Sequence, residues 1–153
     1  MLSLNGWYIN HLLDVHQQKI YLLNLYVKPS DGSGTAERLT TNSVAQGATD
    51  WADNGETLIF GAPDIMTLGF GADAEPETLL VTNADEAVFA LSPNGQWLAY
   101  RSNASGENQI YVRPFPDVTS GGERLISDEP GATDPLWGPD GRELFYLTPD
   151  AAM

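Results

Sequence analysis

A tight turn between two apolar runs recurs three times in this 153-residue chain, and its spacing constrains the fold more than any other feature. The clearest copy is Leu91-Ser92-Pro93-Asn94-Gly95-Gln96-Trp97-Leu98-Ala99-Tyr100. Pro93 presets φ for a turn and Gly95 can take φ > 0, so the two runs are expected to fold back as an antiparallel hairpin. The upstream copy reads Trp51-Ala52-Asp53-Asn54-Gly55-Glu56-Thr57-Leu58-Ile59-Phe60, and the downstream one Trp137-Gly138-Pro139-Asp140-Gly141-Arg142-Glu143-Leu144-Phe145-Tyr146. In each copy a Leu stands three residues after the turn Gly and an aromatic five after, as alternation along one strand face requires.

Two further markers keep the same rhythm. Glu37-Arg38-Leu39-Thr40, Glu77-Thr78-Leu79-Leu80 and Glu123-Arg124-Leu125-Ile126 resemble one another, and their Leu39, Leu79 and Leu125 step by 40 and 46 residues, as do Gly55, Gly95 and Gly141. Tyr26, Met66 and Tyr111 step by 40 and 45. Each unit is therefore expected to supply four short strands, a to d: in the best unit, a over Ala87 to Leu91, b over Gln96 to Ser102, c over Gln109 to Arg113 and d over Glu123 to Ser127. Four antiparallel strands in 40 to 46 residues make one β-propeller blade. A β-sandwich could use similar strands but would not need such regular spacing. The middle unit departs from the pattern, since Asp64-Ile65-Met66-Thr67-Leu68 reads as a shortened strand c, and that blade is expected to be irregular at its outer edge.

Ser92 to Tyr100, Gln109-Ile110-Tyr111-Val112-Arg113-Pro114-Phe115-Pro116, Gly121-Gly122-Glu123-Arg124 and Trp137 to Tyr146 resemble TolB-type β-propeller repeats. Among these they are most similar to the WD-like repeats at the C-terminal end of bacterial serine/threonine kinase-like proteins. Leu25-Tyr26-Val27-Lys28-Pro29-Ser30-Asp31-Gly32-Ser33-Gly34 fits the same pattern, so the resemblance covers roughly residues 25 to 150. It implies an all-β fold and a sensor or interaction domain of a bacterial regulator, or a stand-alone periplasmic interaction protein. It is specific for fold and weak for activity.

Counted in strands, the chain is a partial β-propeller with about three blades' worth of four-stranded antiparallel units. Residues 1–19 form an irregular or capping segment, followed by repeats over 20–153: a half-blade at 20–40, blades at about 43–81 and 87–127, and a half-blade at 132–147. Closed propellers have about 4 to 8 blades. The chain is thus expected to be a fragment of a longer propeller, an open arc, or one half of a homodimer in which two copies close a six-bladed ring.

Composition narrows the chemistry. Lys+Arg 7 against Asp+Glu 21 gives a formal net charge of -14, which argues against a nucleic-acid partner. With Cys 0, disulfides and thiolate sites are excluded. Residues 1–27 are interrupted by polar side chains and suggest neither a signal peptide nor membrane insertion. The chain then either stays in the cytoplasm or belongs to a longer exported parent, and localisation is open between a cytoplasmic and an extracytoplasmic bacterial regulatory domain. The two histidines, His11 and His16, have the wrong spacing for a metal pair. No nucleophile elbow, phosphate loop or kinase catalytic motif occurs, and no cofactor or metal is implied.

The candidate binding residues are Asp50, Glu86 and Asp134, near the starts of successive a strands, with Arg101 and Asn103 at the end of strand b. In a propeller these positions lie near the mouth of the central channel, where they could meet a cation or a basic peptide. Solvated or structural loop charges are the plainer account. The chain is expected to be a non-catalytic module with a protein or peptide partner. The competing expectation is a propeller fragment of a prolyl-oligopeptidase-like hydrolase, whose catalytic serine would lie on another domain.

Overall fold

The computed structural model describes residues 24–41, 46–52, 55–62, 64–70 and 74–149. The expectations for residues 1–19, including His11 and His16, and for the turn at Asp53 and Asn54 lie outside these residues. Twelve strands are described: β1 (Tyr26–Val27), β2 (Glu37–Arg38), β3 (Gly47–Ala52), β4 (Thr57–Ala62), β5 (Asp64–Gly69), β6 (Glu77–Leu80), β7 (Glu86–Leu91), β8 (Trp97–Ser102), β9 (Gln109–Pro114), β10 (Arg124–Leu125), β11 (Thr133–Trp137) and β12 (Leu144–Leu147). They form four separate antiparallel sheets with every strand beside its sequence neighbour: β1-β2, β3-β4-β5-β6, β7-β8-β9-β10 and β11-β12. Among the described residues there is no α-helix. The fold is all-β, built of the four-stranded meanders that the repeat requires.

The turns form as their residues dictate. Gly95 N–H donates to Ser92 O at 2.8 Å with Gly95 at φ 67°, and Gly141 N–H donates to Gly138 O at 2.9 Å with Gly141 at φ 70°. The Ser92 hydroxyl oxygen also accepts from Gln96 N and Trp97 N, which holds the start of β8 against the turn.

Alternation then sorts the side chains onto two faces, and in the two four-stranded sheets both faces carry buried side chains. In β4, Leu58 and Phe60 point to one side and pack with Leu25 and Leu68, with Leu39 against them. Ile59 points to the other, where Ala52, Ile65 and Leu80 meet Phe89, Leu98, Tyr100, Tyr111 and Val118 of the next unit. The periodic aromatics therefore fill the space between units. In β8, Leu98 and Tyr100 are both fully buried.

Two local features differ from the sequence expectation. Strand β5 is as long as β9, and its ladder with β4 runs unbroken from Thr57↔Gly69 to Ala62↔Asp64, because Ile65 and Leu68 each have a buried face to fill. The irregularity expected at the outer edge of this unit is found there, where the β5–β6 register shifts between Ile65 and Met66. Leu80, not Leu79, consequently lies opposite Ile65 and enters the core. In the other units the same place is taken by Leu39, whose N–H donates to Leu25 O, and by Ile126, whose N–H donates to Ile110 O.

The innermost strands share a bulge. Register shifts occur between Ala48 and Asp50 in β3, Ala87 and Phe89 in β7, and Thr133 and Leu136 in β11. Inside the last two, Val88 stands at φ 46° and Asp134 at φ 53°. A β-branched residue in the left-handed region is strained, and the bulge that imposes it turns the strand end.

Candidate functional site

The candidate binding residues are brought to the inner strands and their adjoining loops, but most are already engaged there. Asp50 of β3 spends both carboxylate oxygens on backbone: Oδ1 accepts from Trp51 N at 2.8 Å and Oδ2 from Leu91 N at 2.6 Å. The second bond crosses to β7. The carbonyl of the same peptide unit, Ala90 O, accepts from Trp137 Nε1 of β11 at 3.1 Å. One peptide group of β7 is thus held from both sides by the neighbouring inner strands.

Glu86 opens β7 and is buried, 5% exposed. Its Oε1 accepts from Thr82 Oγ1 at 2.5 Å and from Ser102 Oγ at 3.1 Å, while Oε2 is buried with no partner among the described residues. An equivalent arrangement occurs one unit earlier, where the Thr40 hydroxyl donates to buried Gln46 ahead of β3 and accepts from Leu25 N. The hydroxyl at the end of one unit tied to the Glu or Gln at the start of the next is a linker staple. Glu86 has that role here.

Arg101 and Glu86 do not meet. Glu86 pairs with Ser102 and shares its face of the sheet, so alternation along β8 places Arg101 on the opposite face. The Arg101 Nε is buried without a hydrogen-bond partner among the described residues. Asn103 is taken by the neighbouring loop: its Oδ1 accepts from Asp85 N at 2.9 Å and its Nδ2 donates to Asp85 Oδ2 at 3.3 Å. Asp134 is exposed on its bulge. Of the five residues, Arg101 and Asp134 keep the most unused hydrogen-bonding capacity.

A second polar cluster lies within the β7-β10 sheet. The Tyr100 hydroxyl donates to Glu123, accepts from Arg113 Nε at 2.7 Å, and the Arg113 guanidinium lies 3.4 Å from Glu123. Burial, together with the hydrogen bond to Glu123, pushes the Tyr100 phenol well above its ordinary value. Burial alone would lower Arg113, but the Tyr100 hydrogen bond and the charge of Glu123 hold it above its ordinary value. Nearby, the Arg124 guanidinium sits 4.9 Å from the Trp97 ring centre. These contacts lock strand d to strands b and c.

Two features were not singled out by sequence reasoning. One is a cleft of about 340 Å³ beside β2, lined by Arg38, Thr40, Gln46, Phe60, Met66 and Glu75 among others. Arg38 Nε there donates to Thr40 O, and Thr40 is bonded to Gln46, so the polar lining is largely self-satisfied. The other is the outer face of β11-β12, where Leu136, Phe145 and Leu147 are 65%, 56% and 62% exposed. The signal for this face was present in the repeat, since Phe145 holds the place that Ile59 and Ala99, both 0% exposed, hold in the complete sheets. No group of three or more His, Cys, Asp or Glu able to hold a metal ion occurs among the described residues. No helix among them is long and apolar enough to cross a membrane.

No family model and no curated protein matches this chain. Solved structures do resemble it. A protein of Agrobacterium tumefaciens assigned as TolB superposes with a TM-score of 0.69 at 21% identity, over 84% of this chain and 47% of the other. TolB from Acinetobacter baumannii superposes with a TM-score of 0.67 at 20% identity, over 83% of this chain and 32% of the other. The chain spans less than half the length of either. At this identity the likeness shows the fold, a partial TolB-like β-propeller.

Proposed function

We propose that the chain is a non-catalytic interaction module, a propeller scaffold that binds protein or peptide segments, with a second copy of itself among its partners. The observation that carries this reading is the exposed apolar face of Leu136, Phe145 and Leu147 on a chain with a formal net charge of -14. A contiguous apolar patch on an otherwise strongly charged surface is the usual form of a protein-binding site. The resemblance of the repeats to those of bacterial kinase-like regulators supports a sensor or regulatory setting, cytoplasmic or extracytoplasmic. The acidity favours a basic segment at the mouth of the channel, where Asp134 is free to meet it, and disfavours nucleic acid.

Calorimetry with matched peptides, apolar residues alternating with Lys in one set and with Glu in the other, tests the reading. Binding of the Lys set, weakening as salt is raised, is expected. Equal indifference to both sets, or turnover of a peptide-ester panel that is lost on heating, would overturn it.

A further inference from the structure

We infer that the cleft beside β2 is a small-molecule site for a zwitterion with an apolar body, the class of apolar dipeptides, its carboxylate held by Arg38 and its ammonium by Glu75. The inference goes beyond the reading of the chain as an interaction module and does not depend on it. Two equivalent junctions between units differ here. Where β6 meets the following sheet the junction is closed: Leu79 and Phe115 pack against a cluster in which Leu80, Tyr100, Tyr111 and Val118 meet. Where β2 faces β4 and β5, Arg38 and Leu39 stand in place of Leu79 and Leu80, and the paired Phe60 and Met66 in place of the paired Tyr100 and Tyr111. The connection between strands c and d brings Val118 to 3% exposure at the closed junction, whereas at the other it leaves Glu75 exposed. Smaller side chains and two charges thus replace an apolar plug, and a cleft of about 340 Å³ remains between described residues.

The lining sorts the groups of the ligand. Leu39 and Met66 are half-buried and form an apolar wall, backed by the buried Phe60. Thr40 and Gln46 satisfy each other at the inner end. Arg38 Nε donates to Thr40 O at 2.7 Å, which fixes the guanidinium at the cleft and leaves its terminal nitrogens, the fork that matches a carboxylate, for a ligand. Arg38 and Glu75 line the same cleft with opposite charge, yet they form no ion pair with each other among the described residues. A simple anion would meet the carboxylate of Glu75 and a simple cation the guanidinium of Arg38, whereas a molecule carrying both charges satisfies both. A volume of about 340 Å³ lies at the lower end of small-molecule pockets, about 300–1,000 Å³, and so suits two linked amino acids rather than a folded partner.

Calorimetry and thermal unfolding with leucyl-leucine, its N-acetyl form and its C-terminal amide test the site on the full chain. The free dipeptide is expected to bind and to raise the unfolding temperature, and each blocked form, lacking one charge, to bind roughly tenfold more weakly. Arg38→Gln is expected to bind the free dipeptide and the amide alike, and Glu75→Gln the free and N-acetyl forms alike, an exchange that a merely structural role for either residue would not produce. Met66→Trp, which fills the cleft, is expected to abolish binding while the unfolding transition is retained. A folded chain that neither binds leucyl-leucine nor is stabilised by it, equal affinity for the three forms, or full binding by folded Met66→Trp would each overturn the inference. Should a variant fail to fold, the blocked dipeptides on the unaltered chain still decide between these outcomes.

Discussion

Asp50 shows how a residue that looks like a ligand in sequence can be structural in three dimensions. Its two oxygens accept from Trp51 N and from Leu91 N, 41 residues further on. Replacing it by Ala strands the inner N–H of β7 and is expected to cost about 1–3 kcal/mol in urea unfolding, with Asn recovering part of the loss through its single remaining acceptor. Tyr100 gives a prediction with a pH sign. Its phenol is held protonated in the folded chain while the unfolded chain ionises near pH 10.0, so its contribution is full below that pH and falls as pH rises above it. Tyr100→Phe is therefore expected to destabilise by about 1–3 kcal/mol at neutral pH, having lost hydrogen bonds to two charged groups. The deficit should shrink in unfolding curves taken above pH 10.0. Little of this was legible beforehand, because the partners of Asp50, Glu86 and Asn103 lie on other strands or loops that only the folded register brings near. The turn residues Gly95 and Gly141 were legible, since their requirement is local.

At the scale of elements, the sequence reveals strands by alternation but not the places where alternation slips. Leu79 keeps the sequence spacing of Leu39 and Leu125, yet the shift between Ile65 and Met66 hands the core place to Leu80. In the next unit that place falls to Ile126, while Leu125 pairs with Tyr111 and is exposed. A one-residue slip reverses which side chains face the core, and spacing between distant markers cannot detect it. The recurring bulge in β3, β7 and β11 was equally silent, since no glycine marks it. It carries its own prediction. Val88 stands at φ 46°, a conformation that strains any residue with a Cβ, so Val88→Ala loses apolar contact without relieving strain, whereas Val88→Gly relieves it. The usual order in strands, with Gly worse than Ala, is expected to reverse: thermal or urea unfolding should show Val88→Gly as the more stable of the two.

For the whole molecule, the repeat spacing read from Gly55, Gly95 and Gly141 was enough to indicate the architecture, and the two four-stranded meanders among the described residues and the likeness to TolB structures bear that out. Function was less legible, because a propeller fold is a scaffold whose use depends on its surfaces. The surface that stands out is the apolar outer face of β11-β12, and in our account a second copy of the chain covers it. Light scattering across a concentration series measures that directly. The account expects a discrete species of twice the 16.6 kDa chain mass that persists on dilution through the micromolar range. A chain that remains at 16.6 kDa at every concentration, with folded strands and β12 amides in fast hydrogen exchange, would contradict it.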